Sequence, residues 1–252
     1  MKILNTIMLL LAICTFAYAQ SDKVETKRGD LEIQPVLHST MVMKWNGKTI
    51  YTDPYGGEES FAQYAAPDLV LITDIHGDHL NVETLQALNL ENSELIAPQA
   101  VIDQLEGSSV KFKKIHALAN GEDTDWQDIK IEAVPMYNLP ETEDSRHPKG
   151  RGNGYILEVG GKRVYISGDT EDIPEMRNLK DIDVAFVCMN LPYTMDINQA
   201  ADAVLAFKPA IVYPFHFRGG GGKFSDVESF KKMVNAKNDQ IEVRLRKWYP
   251  AN

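Results

Sequence analysis

The chain has 252 residues, of which 44% are hydrophobic, so it has ample capacity to bury a core as one large α/β domain or two small ones. Acidic side chains outnumber basic ones 36 to 26, for a formal net charge of −10. Non-specific affinity for nucleic acid comes from lysine and arginine displacing counterions, so this balance argues against a nucleic-acid partner and leaves a small molecule as the expected one.

In chain order the first feature is Lys2, an apolar run from Ile7 to Phe16, and Ala17-Tyr18-Ala19 before Gln20. A basic start, a short hydrophobic stretch and a small-residue site form the pattern of a signal peptide, with cleavage expected after Ala19. Residues 1–19 are therefore expected to be removed, and 20–252 to form the working domain of an exported chain, periplasmic or secreted. A membrane span needs roughly 20 apolar residues, and this run is shorter and followed by the polar segment Ser21 to Asp30, so stable insertion is not expected. Lipidation at Cys14 is a minor alternative, disfavoured by Ile13 before it. Cleavage leaves Cys188 as the one cysteine, which cannot form an internal disulfide and reads as a small buried hydrophobe in the apolar run Val184 to Met189.

No low-complexity linker divides the rest, since Gly219 to Gly222 is too short to separate domains. Met43 to Asp53 has an echo in Leu157 to Asp169: strand, two-residue turn, strand, aspartate. The Asn46-Gly47 and Gly160-Gly161 pairs suit the left-handed angles of tight hairpins. Strand-then-helix pairs follow each hairpin: Leu69–Thr73 with Val82–Leu88, Leu95–Ala97 with Gln99–Leu105, Val184–Met189 with Ile197–Phe207, and Ile211–Phe215 with Val227–Val234. The rhythm predicts two sheets with helices outside.

Ligand-type residues fall where these strands end. Asp74-Ile75-His76-Gly77-Asp78-His79 packs four candidate metal ligands into six residues after an apolar strand. A capped loop, with Asp78 or Asn81 as helix cap, would explain one of them but not all four; imidazole and carboxylate together suit zinc and similar ions. Asp169 follows the strand Val164 to Ile166, and His216 follows Ile211 to Phe215. No Gly-x-Ser-x-Gly elbow is present, and Ser39, beside His38, is expected to point to the opposite face of a strand, which disfavours a side-chain nucleophile.

Thr73 to His79 resembles the metal-binding motif of the metallo-β-lactamase superfamily, with aspartate at 74 where the first histidine of that motif usually stands. Ser167-Gly168-Asp169-Thr170 resembles the segment whose aspartate bridges two metals, and Tyr213-Pro214-Phe215-His216 the strand end that carries the last histidine. The resemblance implies a four-layer αββα sandwich with internal pseudo-duplication and two divalent metal ions, zinc first, with manganese or iron as alternatives. It also implies that Asp74, His76 and Asp169 face one metal and that Asp78, His79, Asp169 and His216 face the other, with Asp78 as the catalytic proton acceptor. The remaining histidine of the motif is missing, because Pro135-Met136-Tyr137-Asn138 stands in its place. His147, in Arg146-His147-Pro148-Lys149-Gly150, is either its substitute as a metal ligand or a loop histidine.

His38-Ser39-Thr40 and Asp53-Pro54 resemble segments of the ascorbate-6-phosphate-lactonase-like and N-acyl-phosphatidylethanolamine-phospholipase-D-like branch. On that basis His38 is expected near the pocket without binding metal. His116 has no matched partner and reads as structural, and Lys231-Lys232 as a solvated helix face. The implied chemistry is metal-dependent hydrolysis of an ester, lactone or phosphodiester of a small molecule, with β-lactams a lesser option. The alternatives are a degenerate metal-binding scaffold that recognises a ligand without turnover and di-iron redox chemistry, for which the chain has no room for a flavin domain.

Overall fold

The structure is a computed structural model describing residues 22–249. The expected signal peptide, with Cys14, lies outside the described residues. Among those residues no helix is long and apolar enough to cross a membrane.

Two seven-stranded sheets form, each from a contiguous half of the chain. The first contains β1 (Asp22–Val24), β2 (Leu31–Leu37), β3 (Thr40–Trp45), β4 (Lys48–Thr52), β5 (Leu69–Leu71), β6 (Glu94–Ala97) and β7 (Lys114–Ala117), in that spatial order. The second contains β8 (Asp123–Trp126), β9 (Ile129–Met136), β10 (Gly152–Val159), β11 (Lys162–Ile166), β12 (Val184–Cys188), β13 (Ile211–Phe215) and β14 (Glu242–Val243), again in sequential order. In both, the first three pairings are antiparallel and the last three parallel.

The parallel crossovers carry helices, as parallel strands require. These are α1 (Val82–Ala87) and α2 (Gln99–Leu105) in the first half, then α3 (Pro174–Arg177), α4 (Ile197–Phe207) and α5 (Val227–Lys237) in the second. The repeat heard in the sequence is thus a repeat of whole topology. Its hairpins β3–β4 and β10–β11 turn where expected, on Asn46-Gly47 (φ 48° and 73°) and Gly160-Gly161 (57° and 83°).

Side-chain alternation makes the layers. Along β3, Met41, Met43 and Trp45 enter the main core together with Ile131, Tyr155 and Leu157 of the second sheet, whereas Val42 joins a separate cluster with Leu85 of α1 and Val101 of α2. In β5 and β6 the same division sends Leu69, Leu71 and Ile96 between the sheets and Val70, Leu95 and Ala97 under the helices. Phe230 and Val234 of α5 and Ala200, Ala203 and Val204 of α4 cover the outer side of the second sheet. The result is the expected αββα sandwich. Cys188 is buried in this core, where desolvation pushes its thiol up to about 12 and keeps it inert.

One local alternative is settled and one local expectation is corrected. Asn81, not Asp78, caps α1, its side chain accepting from Thr84 N at 2.9 Å, which leaves Asp78 free of that role. His38 and Ser39 do not continue a strand; they form the turn between β2 and β3, with His38 at φ 53° and a register shift near Pro35 and Leu37. A left-handed residue breaks the alternation, so Ser39 is turned towards His79, its Oγ 3.3 Å from Nδ1.

Candidate metal centre

All the singled-out aspartates and histidines except His116 meet at one end of the sandwich, where strands of both sheets finish. The 74–79 loop leaves β5, Asp169 follows β11 and His216 follows β13. His147 comes from the loop between β9 and β10. His116 lies on β7 and pairs with Glu94 of β6 at 2.8 Å, a contact across one strand pair.

The backbone is strained where it delivers these groups. Among the described residues seven non-glycine positions have positive φ, and His38, Asp53 and His216 (53°, 45° and 44°) are three of them, all at strand ends beside the centre. Gly168 has φ +61°, and a Cβ there would meet Met136 Sδ at 2.6 Å and the Asn153 carbonyl oxygen at 3.1 Å, so glycine lets the chain present Asp169 without displacing the Met136 side chain.

Asp169 is the hub. Its Oδ2 lies 3.5 Å from His79 Nε2 and 3.4 Å from His147 Nε2, and its Oδ1 3.4 Å from His216 Nε2. On one side Asp74, His76 and His147 converge closely enough to share an ion; on the other, His79, Asp169 and His216 do. Asp78 Oδ2 stands 3.3 Å from His216 Nε2 and is partly open to solvent.

Hydrogen bonds fix which nitrogen each imidazole turns inward. Asp53 accepts from Thr73 N (2.8 Å), Thr73 Oγ1 (2.7 Å) and His79 Nδ1 (2.8 Å), so in neutral His79 the proton sits on Nδ1 and the Nε2 lone pair faces Asp169. Asn138 donates to Glu171 Oε1 (3.1 Å) and to the Tyr193 carbonyl (2.9 Å), which turns its Oδ1 to accept from His147 N (2.8 Å) and His147 Nδ1 (3.0 Å). Among the described residues no hydrogen bond satisfies the buried His147 Nε2, then a lone pair, nor the buried Asp169 Oδ1 and His216 Nδ1.

The aspartate at 74 carries a charge that a histidine would not. Arg151 compensates, with its Nε 3.3 Å from Oδ1 and its Nη2 3.3 Å from Oδ2, beside the contact of His76 Nδ1 with Oδ2. Asn190 Nδ2 lies 3.3 Å from Asp169 Oδ2 and 3.4 Å from His216 Nε2. His38 Nε2 is 2.6 Å from Arg218 Nη2. A guanidinium can only donate, so His38 accepts through Nε2 and is protonated on Nδ1, which leaves it no lone pair for a metal.

Electrostatics match a cation at the hub. Burial works against ionisation of Asp169, but His216, His79 and His147 outweigh it and hold the carboxyl well below its ordinary range. Burial likewise opposes a charged His79, yet Asp169 and Asp53 raise it well above the ordinary imidazole value. Desolvation dominates at His147 and takes it down to about 4, so it is neutral at physiological pH despite Asp169 and Asp74 nearby.

Sequence reasoning did not assign roles to Asp53, Asn138, Arg151, Asn190 or Arg218. For Asp53 a signal existed, because it ends the fourth strand of its repeat as Asp169 follows the fourth strand of the other.

The comparisons agree with this architecture. A profile of the beta-lactamase superfamily domain matches residues 32–216. The chain is 28% identical over 200 residues to a metal-dependent hydrolase from Pyrococcus abyssi, a match covering 75% of this chain and 86% of that one. The crystal structure of a candidate metal-dependent hydrolase from Parabacteroides distasonis matches with a TM-score of 0.80 at 39% identity, over 92% of this chain and 100% of that one. A metallo hydrolase from Ignicoccus hospitalis shares the fold, with a TM-score of 0.71 at 24% identity over 85% and 94% of the two chains. With its repeated half-sandwiches and His/Asp cluster at their shared end, the chain belongs to the metallo-β-lactamase superfamily, among its metal-dependent hydrolases.

Proposed function

We propose that this protein is an exported hydrolase that holds two divalent cations, zinc first, and cleaves an ester, lactone or phosphodiester of a small molecule. The observation that carries the reading is the pair of inward nitrogens, His79 Nε2 and His147 Nε2, both aimed at Asp169 Oδ2 at 3.5 and 3.4 Å. His147 is kept neutral, so its lone pair and the carboxylate would repel each other unless a cation lay between them.

Asp74, His76, His147 and Asp169 would hold one ion, and Asp78, His79, Asp169 and His216 the other, with Asp169 shared. His147 then replaces the missing histidine of the motif. When bound, such a pair of ions lowers the pKa of water towards neutrality and polarises the oxygen of the bond under attack. Among the chain's own groups, Asp53 and Asn138 lock the imidazole tautomers and Arg151 offsets the charge of Asp74. Asn190 fixes the Asp169 carboxylate, and Asp78, the solvent-facing carboxylate of the set, is placed to take and return the proton of the attacking water.

The test is turnover of 4-nitrophenyl acetate and bis(4-nitrophenyl) phosphate by protein stripped with a chelator and then reloaded with zinc, manganese or iron. Activity should vanish on stripping and return with at least one metal. Activity indifferent to the chelator, or none with any metal, would overturn the proposal.

A further inference from the structure

Among the described residues, six of the eight arginines are ion-paired with carboxylates and Arg146 and Arg218 are not. Both flank candidate ligands of that centre in the chain, Arg146 immediately before His147 and Arg218 two residues after His216. Each is held on an aromatic ring instead, Arg146 at 4.4 Å from the Tyr193 centroid and Arg218 at 5.1 Å from that of Tyr249. Stacking of this kind fixes a guanidinium plane while leaving most of its N–H groups free.

Arg218 is the more deeply set. It is half-buried, its backbone N donates to Tyr249 Oη at 3.1 Å, and one Nη2 donor is taken by His38 at 2.6 Å. Among the described residues no acceptor meets His38 Nδ1, which is buried and then carries the proton. A half-buried cation and an unsatisfied N–H donor beside it, on a chain of net charge −10, are costly unless something negative completes them.

Resting on the hydrolase reading, we propose that the substrate is an anion and that Arg218, held by His38 and Tyr249, is the receptor for its oxyanion group, a phosphate or carboxylate. Arg146, exposed, packed on Tyr193 and next to His147 in the chain, is a second, outer cation. On a chain of net charge −10 the two arginines offer an anionic group two cations near the centre.

The test is calorimetric titration of inorganic phosphate, and separately of acetate, into the metal-loaded mature chain, which reads binding without turnover. Arg218→Gln should weaken the tighter of the two anions about tenfold or more. Arg218→Lys should fall between it and the wild type, and Arg146→Gln should cause a smaller loss. Lys231→Gln, an equal charge change on α5, should change nothing. Phosphate or acetate as the tighter ligand identifies the oxyanion. Wild-type affinity in both Arg218 variants, an equal loss in Lys231→Gln, or no wild-type binding of either anion would overturn the inference. A chain that binds phosphate through Arg218 but hydrolyses nothing would keep it and sink the hydrolase reading alone.

Discussion

Asp53 Oδ2 lies 2.8 Å from His79 Nδ1, with both side chains fully buried, so a residue of the first repeat sets the direction in which the imidazole faces the aspartate of the second. Asp53→Asn keeps the shape but removes the charge that fixes the tautomer. Metal affinity should fall about 10–100-fold, measured by competition with a chromogenic chelator, while the fold persists by circular dichroism. Unchanged affinity would show that the Asp53 contact is only packing.

His147 is held by Asn138 through two bonds to one oxygen, 2.8 and 3.0 Å. Asn138→Ala should loosen the loop and reduce occupancy of the ion beside Asp74, whereas His147→Ala should lose that ion and retain the other. Metal per chain in each variant decides it; two ions retained in His147→Ala would return His147 to the role of a loop residue.

Gly168→Ala combines a left-handed φ of +61° with a Cβ 2.6 Å from Met136 Sδ. The expected loss is about 1–3 kcal/mol, seen as a lower thermal midpoint. A midpoint equal to wild type would mean that Met136 moves aside without penalty.

Away from the centre, Asp22 is bonded to Tyr213 Oη at 2.7 Å and paired with Arg244 and Arg246. Burial opposes its charge, but these partners outweigh burial and hold the carboxyl below its ordinary value. A depressed folded pKa means stabilisation that is complete above the unfolded value of about 3.9 and lost as pH falls through the folded one. Asp22→Asn should therefore lower stability at neutral pH and converge with wild type as the pH falls below about 4. Parallel denaturation curves across that range would contradict it.

The proposed export predicts a mature chain that begins at Gln20, after Ala19. N-terminal sequencing of protein recovered from the producing cell's exterior compartments checks this; an intact Met1 on functional protein inside the cell would contradict it.

What the sequence disclosed follows the reach of each signal. The hairpins were legible because Asn46-Gly47 and Gly160-Gly161 encode their own backbone angles, and the layers because apolar alternation is local. Asp74, His76, Asp78 and His79 were legible as a dense run, and Asp169 and His216 by their place at strand ends. The supports of the site were not legible, because Arg151 meets Asp74 across 77 residues and Arg218 meets His38 across 180. His38-Ser39 was misassigned to a strand since a histidine, unlike a glycine, gives no notice of a left-handed angle.

Elemental analysis of the purified mature chain tests the proposal that two ions sit around Asp169. About two transition-metal ions per wild-type chain are expected, with loss of both in the His79→Ala, Asp169→Ala double variant while its secondary structure stays intact. A wild-type chain that takes up no metal even after reconstitution, or a double variant that still carries two, would contradict it.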